Sequence, residues 1–311
     1  MQAVPITPAE SSVPTYTPGA VRRIFQAANI EGLSVSSNAT KLFSPSRKLV
    51  RPANGVATTW QEVYQFWMGN WPEPAINYHL LYGCAARVDE AMKRFFEPLW
   101  NEALNGGLRD WEQQPQSCVA KILLCDQAPR HMFRNTARVL ETDAIAQRLA
   151  NRCAQMMSQG VRFHVEDTIP ILLAWLHSET IDDMYVAEAA CQMLIERSKA
   201  LVHLRMLNHL CSGQMHTRVL ERFGRYPHRN SLLGRTSTPE ELEYLEKEAG
   251  IWERDQKPES RGGTPAFAVG VTEHYRRVAR QLHIEGKLLG SIFAYFSSLA
   301  PKPKEGYTGG L

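Results

Sequence analysis

The sequence lacks the signatures that would assign it at once to a functional class. Among its 311 residues there is no glycine-rich dinucleotide loop, no Walker loop, no GxSxG elbow and no HExxH motif. No run of 18 apolar residues occurs, so no membrane span is predicted. The N-terminus has no basic start followed by an apolar stretch, which argues against a secretory signal. No 34-residue pattern recurs, which weakens a true helical-repeat array.

The sequence also lacks closely spaced cysteine pairs, and its net charge is small. The six cysteines form no CxxC pair, so zinc is not expected, and reduced thiols in the cytoplasm are the default interpretation. The formal net charge of +3 is too small to predict nucleic-acid binding. A hydrophobic content of 44% nevertheless provides enough apolar material for a folded core.

Composition divides the chain into three parts. Residues 1–57 are rich in Pro, Ser, Thr, Asn and Gly and are predicted to be a disordered arm with at most one short helix, at Val21–Ala28. Residues 58–250 carry apolar residues at helical spacing, without a convincing alternating strand, and are predicted to form one all-α core. Residues 251–311 are predicted to be a linker, a terminal helix and a loose tail.

Helices are predicted where apolar spacing is clearest, and the best-defined start lies at Thr238. Thr238 can cap the helix, Pro239 suits its first position and Glu241 can complete a capping box. The other helices of the core are predicted near residues 58–69, 76–103, 118–124, 135–157, 169–176, 185–210 and 215–223.

The first charged motif follows an apolar run that starts at Leu123. If the segment is helical, Asp126, Arg130 and Arg134 lie on one face at four-residue spacing. Such a face at the edge of a core is either a structural ladder of ion pairs or the wall of a pocket that binds an anion.

The second motif is acidic and follows the apolar sequence ILLAWLH. Glu179 and Asp183 are one helical turn apart, so both carboxylates can face the same space. Paired carboxylates suit Mg²⁺, which prefers oxygen ligands, and they suit acid–base chemistry when their pKa values differ. A solvated acidic face is the structural alternative.

The third motif spans residues 216–235 and contains five arginines within eighteen residues, from Arg218 to Arg235. The planar fork of arginine matches phosphate or carboxylate, and Gly224 permits a tight turn of the backbone. The motif predicts phosphate or diphosphate binding, with ion pairs to the acidic segments as the structural alternative.

Together the motifs resemble those of the helical family catalogued as domain of unknown function nine-two-four. That family shows an FWFG-like opening, LLDQxPRN, HSExxxDQ and FGRFPHRNxxLGR, which are matched here in residues 63–69, 123–130, 177–183 and 223–235. The resemblance covers about residues 60–250 and implies a tetratricopeptide-like stack of helices, without an established activity. His131 stands where the family has Asn, and Met184 where it has Gln.

One hypothesis is a small-molecule enzyme of specialised metabolism. Magnesium held by Glu179 and Asp183, with arginines opposite, would bind an anionic substrate such as a prenyl diphosphate or a similar phosphorylated apolar molecule, for terpene-cyclase-like (lyase) chemistry or phosphate-ester cleavage. The aspartate-rich motif of the helical terpene cyclases is incomplete here. The predicted catalytic residues are Asp126, His177, Glu179 and Asp183, and the predicted substrate-binding residues are Arg130, Arg134, Trp175, Arg222, Arg225, Tyr226, His228 and Arg229.

The alternative hypothesis is a non-enzymatic helical scaffold. Stacked helices commonly present a concave surface to peptides, and the arginine-rich motif would then bind an acidic peptide or a C-terminal carboxylate. Convergence of the three motifs on one pocket would favour the enzyme, whereas their spread over an open surface would favour the scaffold. The oligomeric state is not predicted.

Overall fold

The computed structural model describes residues 13–33, 51–70, 74, 76, 77, 80, 86–198 and 200–248. Within these ranges the chain is mostly helical, as predicted. In chain order the helices are α1 (Pro18–Ala27), α2 (Trp60–Met68), α3 (Ala86–Leu104), α4 (Pro115–Ile122), α5 (Ala128–Met132), α6 (Asp143–Ser158), α7 (Thr168–Leu176), α8 (Ile181–Arg197), α9 (Ala200–Phe223) and α10 (Pro239–Lys247). Short 3₁₀ turns lie at Asp110–Gln113, Ala137–Leu140, Val165–Asp167 and Pro227–Arg229, and a π-helical turn lies at Leu123–Gln127.

Two short strands, β1 (Ile30–Glu31) and β2 (Phe163–His164), pair in parallel. Ile30 lies opposite Phe163, and this pairing ties the segment after α1 to the segment between α6 and α7. The sequence predicted no strand, because two residues are too few to show an alternating pattern.

Helix α1 belongs to the core. Val21 and Phe25 are fully buried, and the centroids of the Phe25 and Trp175 rings are 6.4 Å apart. The helix also packs against α6 and α8. The short helix predicted here is therefore confirmed, but its place in the core was not predicted, and the core boundary predicted at residue 58 lies too late in the chain.

Helix α7 lies at the centre of the core. Every one of its residues is buried, because the sequence TIPILLAWL is apolar on nearly all sides and suits a helix surrounded by other helices. It contacts α4, α6, α8 and α9. Pro170 lies in the first turn, where its missing N–H removes no helical hydrogen bond.

Two helices begin with a capping box. At the start of α2, the Thr59 hydroxyl accepts from the Glu62 N–H, and the Glu62 carboxylate accepts from the Thr59 N–H. At the start of α10, Thr238 Oγ1 accepts from the Glu241 N–H at 3.1 Å, and Glu241 Oε2 accepts from the Thr238 N–H at 2.8 Å. The capping box predicted at Thr238 is confirmed.

The helix predicted over residues 76–103 is described from Ala86 to Leu104, as α3. Ile76 and Asn77 are not helical, Leu80 is helical, and residues 81–85 lie outside the described residues. The Ile76 N–H instead donates to a carboxylate oxygen of Glu166, 3.1 Å away. A buried side chain from another part of the chain therefore holds this segment, and local apolar spacing carries no sign of such a contact.

The helix predicted over residues 185–210 is two helices. Helix α8 ends at Arg197, Ser198 is extended, and α9 then runs through the helix predicted at 215–223. The apolar spacing continues across the break, so spacing alone does not reveal it. The helix predicted over 135–157 is also shorter, because a 3₁₀ turn precedes α6.

No helix in the described ranges is both long and apolar enough to cross a membrane, in agreement with the sequence. The linker, terminal helix and tail predicted for residues 251–311 lie outside the described residues. The all-α class is confirmed, whereas the tetratricopeptide-like arrangement stays a prediction.

Candidate functional site

The π-helical turn places Asp126 at the centre of the candidate site. Helix α4 continues directly into this turn, and the Ala128 N–H donates to the carbonyl oxygen of Leu123, five residues earlier. Such a turn holds one residue more than a regular helical turn, and π turns are frequent at functional positions. The Asp126 side chain is buried, so its carboxylate needs partners within the protein.

His177 is the main partner of this carboxylate. It follows the last residue of α7, and its Nδ1 lies 2.7 Å from Asp126 Oδ1. The side-chain amide of Gln127 donates to Asp126 Oδ2, and Arg130 Nη1 lies 3.2 Å from Oδ1. The structure thus brings together residues that the sequence presented in two separate motifs.

Arg130 also binds a second carboxylate, that of Asp143 in the first turn of α6. Its Nη1 and Nη2 lie 3.0 and 3.2 Å from the two oxygens of Asp143, in the bidentate arrangement that arginine favours. Asp143 Oδ2 is in turn 3.9 Å from Nη1 of Arg229. Asp143 therefore joins the first motif to the third.

The ring of Tyr226 supports Arg229. Gly224, with a φ of 68°, turns the chain after α9, and the Tyr226 hydroxyl then donates to the carbonyl oxygen of Leu176 at 3.0 Å. The Arg229 guanidinium lies 4.7 Å from the centroid of the Tyr226 ring, a cation–π contact. His228 stacks on the same ring, with 5.4 Å between centroids.

Arg229 differs from the neighbouring arginines in its hydrogen bonding. It is only 9% exposed, yet its guanidinium donates no hydrogen bond to a described residue, and its contact with Asp143 at 3.9 Å is longer than a hydrogen bond. A buried guanidinium with unused donors is unfavourable unless a ligand or water accepts from it. Three other arginines of the third motif each donate to a glutamate elsewhere in the chain: Arg222, Arg225 and Arg235.

Glu179 fixes the third motif to the connection between α7 and α8. Its two oxygens accept from Nη1 and Nη2 of Arg235 at 2.7 and 3.0 Å, and Oε1 also accepts from the backbone N–H of Tyr226 at 3.0 Å. Burial alone would raise the pKa of Glu179, but these hydrogen bonds outweigh it and lower the pKa. Glu179 thus holds the loop that carries Arg229.

The acidic pair predicted to bind magnesium has other contacts. Glu179 is occupied by Arg235, and the half-buried Asp183 accepts a hydrogen bond from Ser178, which only partly offsets the rise in its pKa on burial. Among the residues that the structure describes, no group of three or more Asp, Glu, His or Cys side chains is arranged to hold a metal ion. Magnesium at Glu179 and Asp183 therefore stays a prediction.

Burial and neighbouring arginines disfavour positive charge on the imidazoles of His177 and His228 and on the guanidinium of Arg229. Burial lowers the pKa of His177, and the charge of Arg130 lowers it further. Burial also lowers the pKa of His228 well below its ordinary value, with Arg229 as the next cause. For Arg229, burial and Arg130 lower the pKa against the opposing effect of Asp143. Both histidines are therefore neutral near pH 7, and an anion would be stabilised here.

Two residues predicted to bind substrate lie outside this cluster. Trp175 is fully buried in the core, and its indole N–H donates to Asn151 Oδ1 at 2.9 Å, so its role in substrate binding stays a prediction. Arg134 follows the end of α5 and binds the carboxylate of Asp89 at 2.9 and 3.0 Å. The four-residue spacing that grouped it with Asp126 fails because the helix is not regular.

Arg222 and Arg225 bind carboxylates on α10 and just after it. Arg225 donates from Nε and Nη2 to the two oxygens of Glu241 at 2.7 and 2.9 Å. Arg222 is exposed and donates to Glu240 and Glu248 at 2.9 and 3.0 Å. Both arginines therefore have ion-pair partners outside the acidic second motif, and their role in substrate binding stays a prediction.

The sequence analysis missed Asp143 and did not single out Arg235. Asp143 resembles any acidic residue in the first turn of a helix, where a negative charge is favourable, so nothing local marks its contact with two arginines. Arg235 ends the arginine-rich motif, six residues after Arg229, and its place in that motif was the only signal available.

The sequence also matches a known protein family. The sequence profile of a family described as a bacterial protein of unknown function, DUF924, matches residues 63–249. The chain belongs to this family. The matched DUF924 region contains the whole Asp126–His177–Arg229 cluster, and the resemblance seen in the motifs is confirmed. The description of DUF924 gives no activity.

One solved structure is similar to this DUF924 chain. It is that of a protein of unknown function from Agrobacterium tumefaciens, with 28% sequence identity, a TM-score of 0.48, and coverage of 60% of this chain and 96% of that chain. At this TM-score the likeness carries no structural argument. No curated protein matches the chain.

Proposed function

We propose that the protein is a small-molecule enzyme that binds the anionic group of its substrate, a phosphate or a carboxylate, at Arg229. The observation that carries this proposal is the buried guanidinium of Arg229, which donates no hydrogen bond to a described residue and lies 3.9 Å from its nearest carboxylate, Asp143. An oxyanion would accept from these donors and supply the missing negative charge.

The surroundings of Arg229 support a built site. Tyr226 lies under the guanidinium, and Glu179 holds the backbone of the same turn, so the orientation of Arg229 is set before a ligand arrives. Pre-organised donors bind an anion with little loss of side-chain entropy. The neutral imidazoles of His177 and His228 add two polar groups beside the cation.

A prenyl diphosphate with magnesium is one member of this substrate class and stays a prediction. Arg229 supports the anion-binding part of that prediction, whereas Arg130 is already paired with Asp126 and Asp143. The metal part is weaker, because Glu179 is bound by Arg235. Trp175, which was predicted to bind substrate, lies in the core.

The scaffold alternative makes a different demand on the same residue. An acidic peptide needs an open surface, whereas Arg229 is only 9% exposed. This burial favours a small molecule, and a peptide with a C-terminal carboxylate is the partner that the titration must separate from it.

Calorimetric titration with inorganic phosphate, pyrophosphate, succinate and an acidic peptide, each with and without magnesium, tests the proposal. We expect binding of at least one of the small anions, and we expect Arg229→Met to weaken it by about 10- to 100-fold, since a hydrogen bond to a charged group contributes about 1.5–3 kcal/mol. Arg162→Met, which removes an exposed arginine paired with Glu31, is the control and should bind normally.

Stability measurements on the same variants separate a binding residue from a structural one. Arg229→Met removes a buried charge without a hydrogen-bonded partner, so the free energy of unfolding without ligand should stay unchanged or rise. Arg225→Met should lower it, because Glu241 loses its bidentate partner. A strongly destabilised Arg229→Met, or the absence of binding to every small anion, would overturn the proposal.

A further inference from the structure

Two aspartate–histidine pairs lie in the described part of the chain, and they differ in one respect. His177 Nδ1 is 2.7 Å from Asp126 Oδ1, and His131 Nδ1 is 2.8 Å from Asp89 Oδ1. The Nε2 of His131 lies 2.6 Å from the carbonyl oxygen of Leu80, so both nitrogens of that ring are occupied. The second pair is structural.

The Nε2 of His177 has no hydrogen-bond partner among the described residues. Its side chain is 21% exposed, whereas that of Asp126 is 1% exposed. The buried carboxylate accepts the Nδ1–H, so the lone pair of a neutral ring is on the outward Nε2. A carboxylate that fixes the tautomer and direction of an imidazole in this way is the usual support of a histidine base.

We propose that His177 is the general base that activates water for hydrolysis of a carboxylic ester, in a substrate whose anionic group is bound at Arg229. Asp126 is a positioning residue that fixes the His177 ring. This inference rests on the proposed function for the position of the anionic group, and adds the reaction and the bond that is broken.

Water is the nucleophile that fits the site. No Ser, Thr or Cys side chain of the described residues is hydrogen-bonded to His177, so a covalent acyl–enzyme step has no nucleophile there. A base contributes most where attack of water is the difficult step, as at an acyl carbon. It contributes less in phosphoryl transfer, where the transition state is commonly loose and positioning dominates.

The step balances without a further reactant. The oxygen of water forms a bond to the acyl carbon while Nε2 of His177 takes its proton. The tetrahedral intermediate carries a negative charge, which is stabilised by the charge of Arg130, whose Nη1 lies 3.2 Å from the Asp126 carboxylate that holds His177. The bond between carbon and the ester oxygen then breaks, and the leaving alkoxide takes the proton from His177, which gives an acid and an alcohol.

Matched ester probes test the reaction. The full-length chain is assayed with mono-4-nitrophenyl glutarate, which carries a carboxylate, with neutral 4-nitrophenyl butyrate and with 4-nitrophenyl phosphate. We expect turnover beyond one equivalent of the anionic acyl ester, and preference for it over the neutral ester by at least tenfold. Arg229→Met should lose that preference.

Variants of the two pairs separate a base from a structural histidine. His177→Asn should lower kcat by about 10²- to 10⁴-fold, the usual contribution of general acid–base catalysis, with KM nearly unchanged. Asp126→Asn should lower kcat and also change the ¹⁵N shifts of His177, as the Nδ1–H tautomer is no longer fixed. Asp89→Asn is the matched control and should affect stability but not kcat.

The outcomes distinguish this inference from the proposed function. Anion binding at Arg229 without turnover of either acyl ester overturns the hydrolytic role and leaves the proposed function intact. The hydrolytic role is also overturned if the His177→Asn and His177→Gln variants hydrolyse the ester as fast as the Asp89→Asn variant does. Turnover of 4-nitrophenyl phosphate in preference to the acyl esters replaces the acyl class by a phosphate ester. Loss of anion binding removes both proposals.

Discussion

At the residue scale, Asp167 has the most consequential ionisation outside the candidate site. Its carboxylate is fully buried; Oδ1 accepts from the Tyr64 hydroxyl at 2.6 Å, and Oδ2 accepts from the His164 N–H at 3.1 Å. Burial raises the pKa of Asp167 to about 7, although these hydrogen bonds oppose the rise. The folded protein therefore holds a proton here that the unfolded chain releases near its ordinary pKa of 3.8.

Asp167→Asn should flatten the pH dependence of stability. In the natural chain the contribution of Asp167 to the free energy of unfolding is fully present below about pH 4. It is lost as pH rises through about 7, because the pKa of Asp167 is raised in the folded state. The free energy of unfolding of the natural chain, relative to the variant, should fall by on the order of a few kcal/mol over that window, at about 1.36 kcal/mol per pKa unit. Urea titrations at successive pH values measure it, and parallel pH curves for both chains would contradict the assignment.

The sequence showed which residues carry charge, but not which partner each would find. Asp126 and His177 were recognised because each follows an apolar segment, and Arg229 because it belongs to a dense cluster of arginines. The sequence could not place Trp175, because an aromatic residue in an apolar helix has the same local pattern whether it lines a pocket or fills the core. Asp143 was missed because its partners, Arg130 and Arg229, belong to the first and third motifs, and nothing in its own helix start indicates contact with either.

At the scale of elements, helix starts were predicted better than helix continuity. The capping box at Thr238 depends on residues three positions apart, so the sequence contains all of it. The break between α8 and α9 at Ser198 leaves the apolar spacing unchanged, and the contact of Ile76 with Glu166 joins distant parts of the chain. The π turn before α5 is likewise invisible in apolar spacing.

Thr238→Ala should destabilise α10 by about 0.5–2 kcal/mol, the usual contribution of an N-cap side chain. The hydroxyl accepts from the Glu241 N–H, and alanine leaves that donor without its cap. Hydrogen exchange of the α10 amides, together with urea unfolding, measures the loss. Thr238→Ser keeps the acceptor and is the control, so equal protection in the Ala and Ser variants would contradict the role of the cap.

At the scale of the whole molecule, the core reaches further toward the N-terminus than the predicted boundary. Helix α1 packs on α6 and α8, and the strand that follows it pairs with β2. The composition of residues 1–57 is that of a linker on average, and a ten-residue helix inside it is too short to change that average. Segments outside the family match therefore contribute to the same core.

Phe25→Ala should lower the free energy of unfolding of the whole protein by about 3–5 kcal/mol, the usual effect of removing a buried phenylalanine side chain. Its ring is fully buried and packs near Trp175. Arg22→Ala, which removes an exposed pair with Glu196, should change stability by less than about 1 kcal/mol. Urea unfolding followed by tryptophan fluorescence compares the two, and similar small losses would place α1 outside the core.

The π-helical turn at Leu123–Gln127 also gives the site an evolutionary property. One residue added to a regular helix rotates everything after it by about 100°, so the register of Asp126 with His177 depends on the number of residues in this turn. A lineage can gain or lose that register through a single codon insertion or deletion, with Asp126 and His177 themselves unchanged. Gaps at this point in related sequences would therefore divide the family more sharply than substitutions at Asp126 or His177.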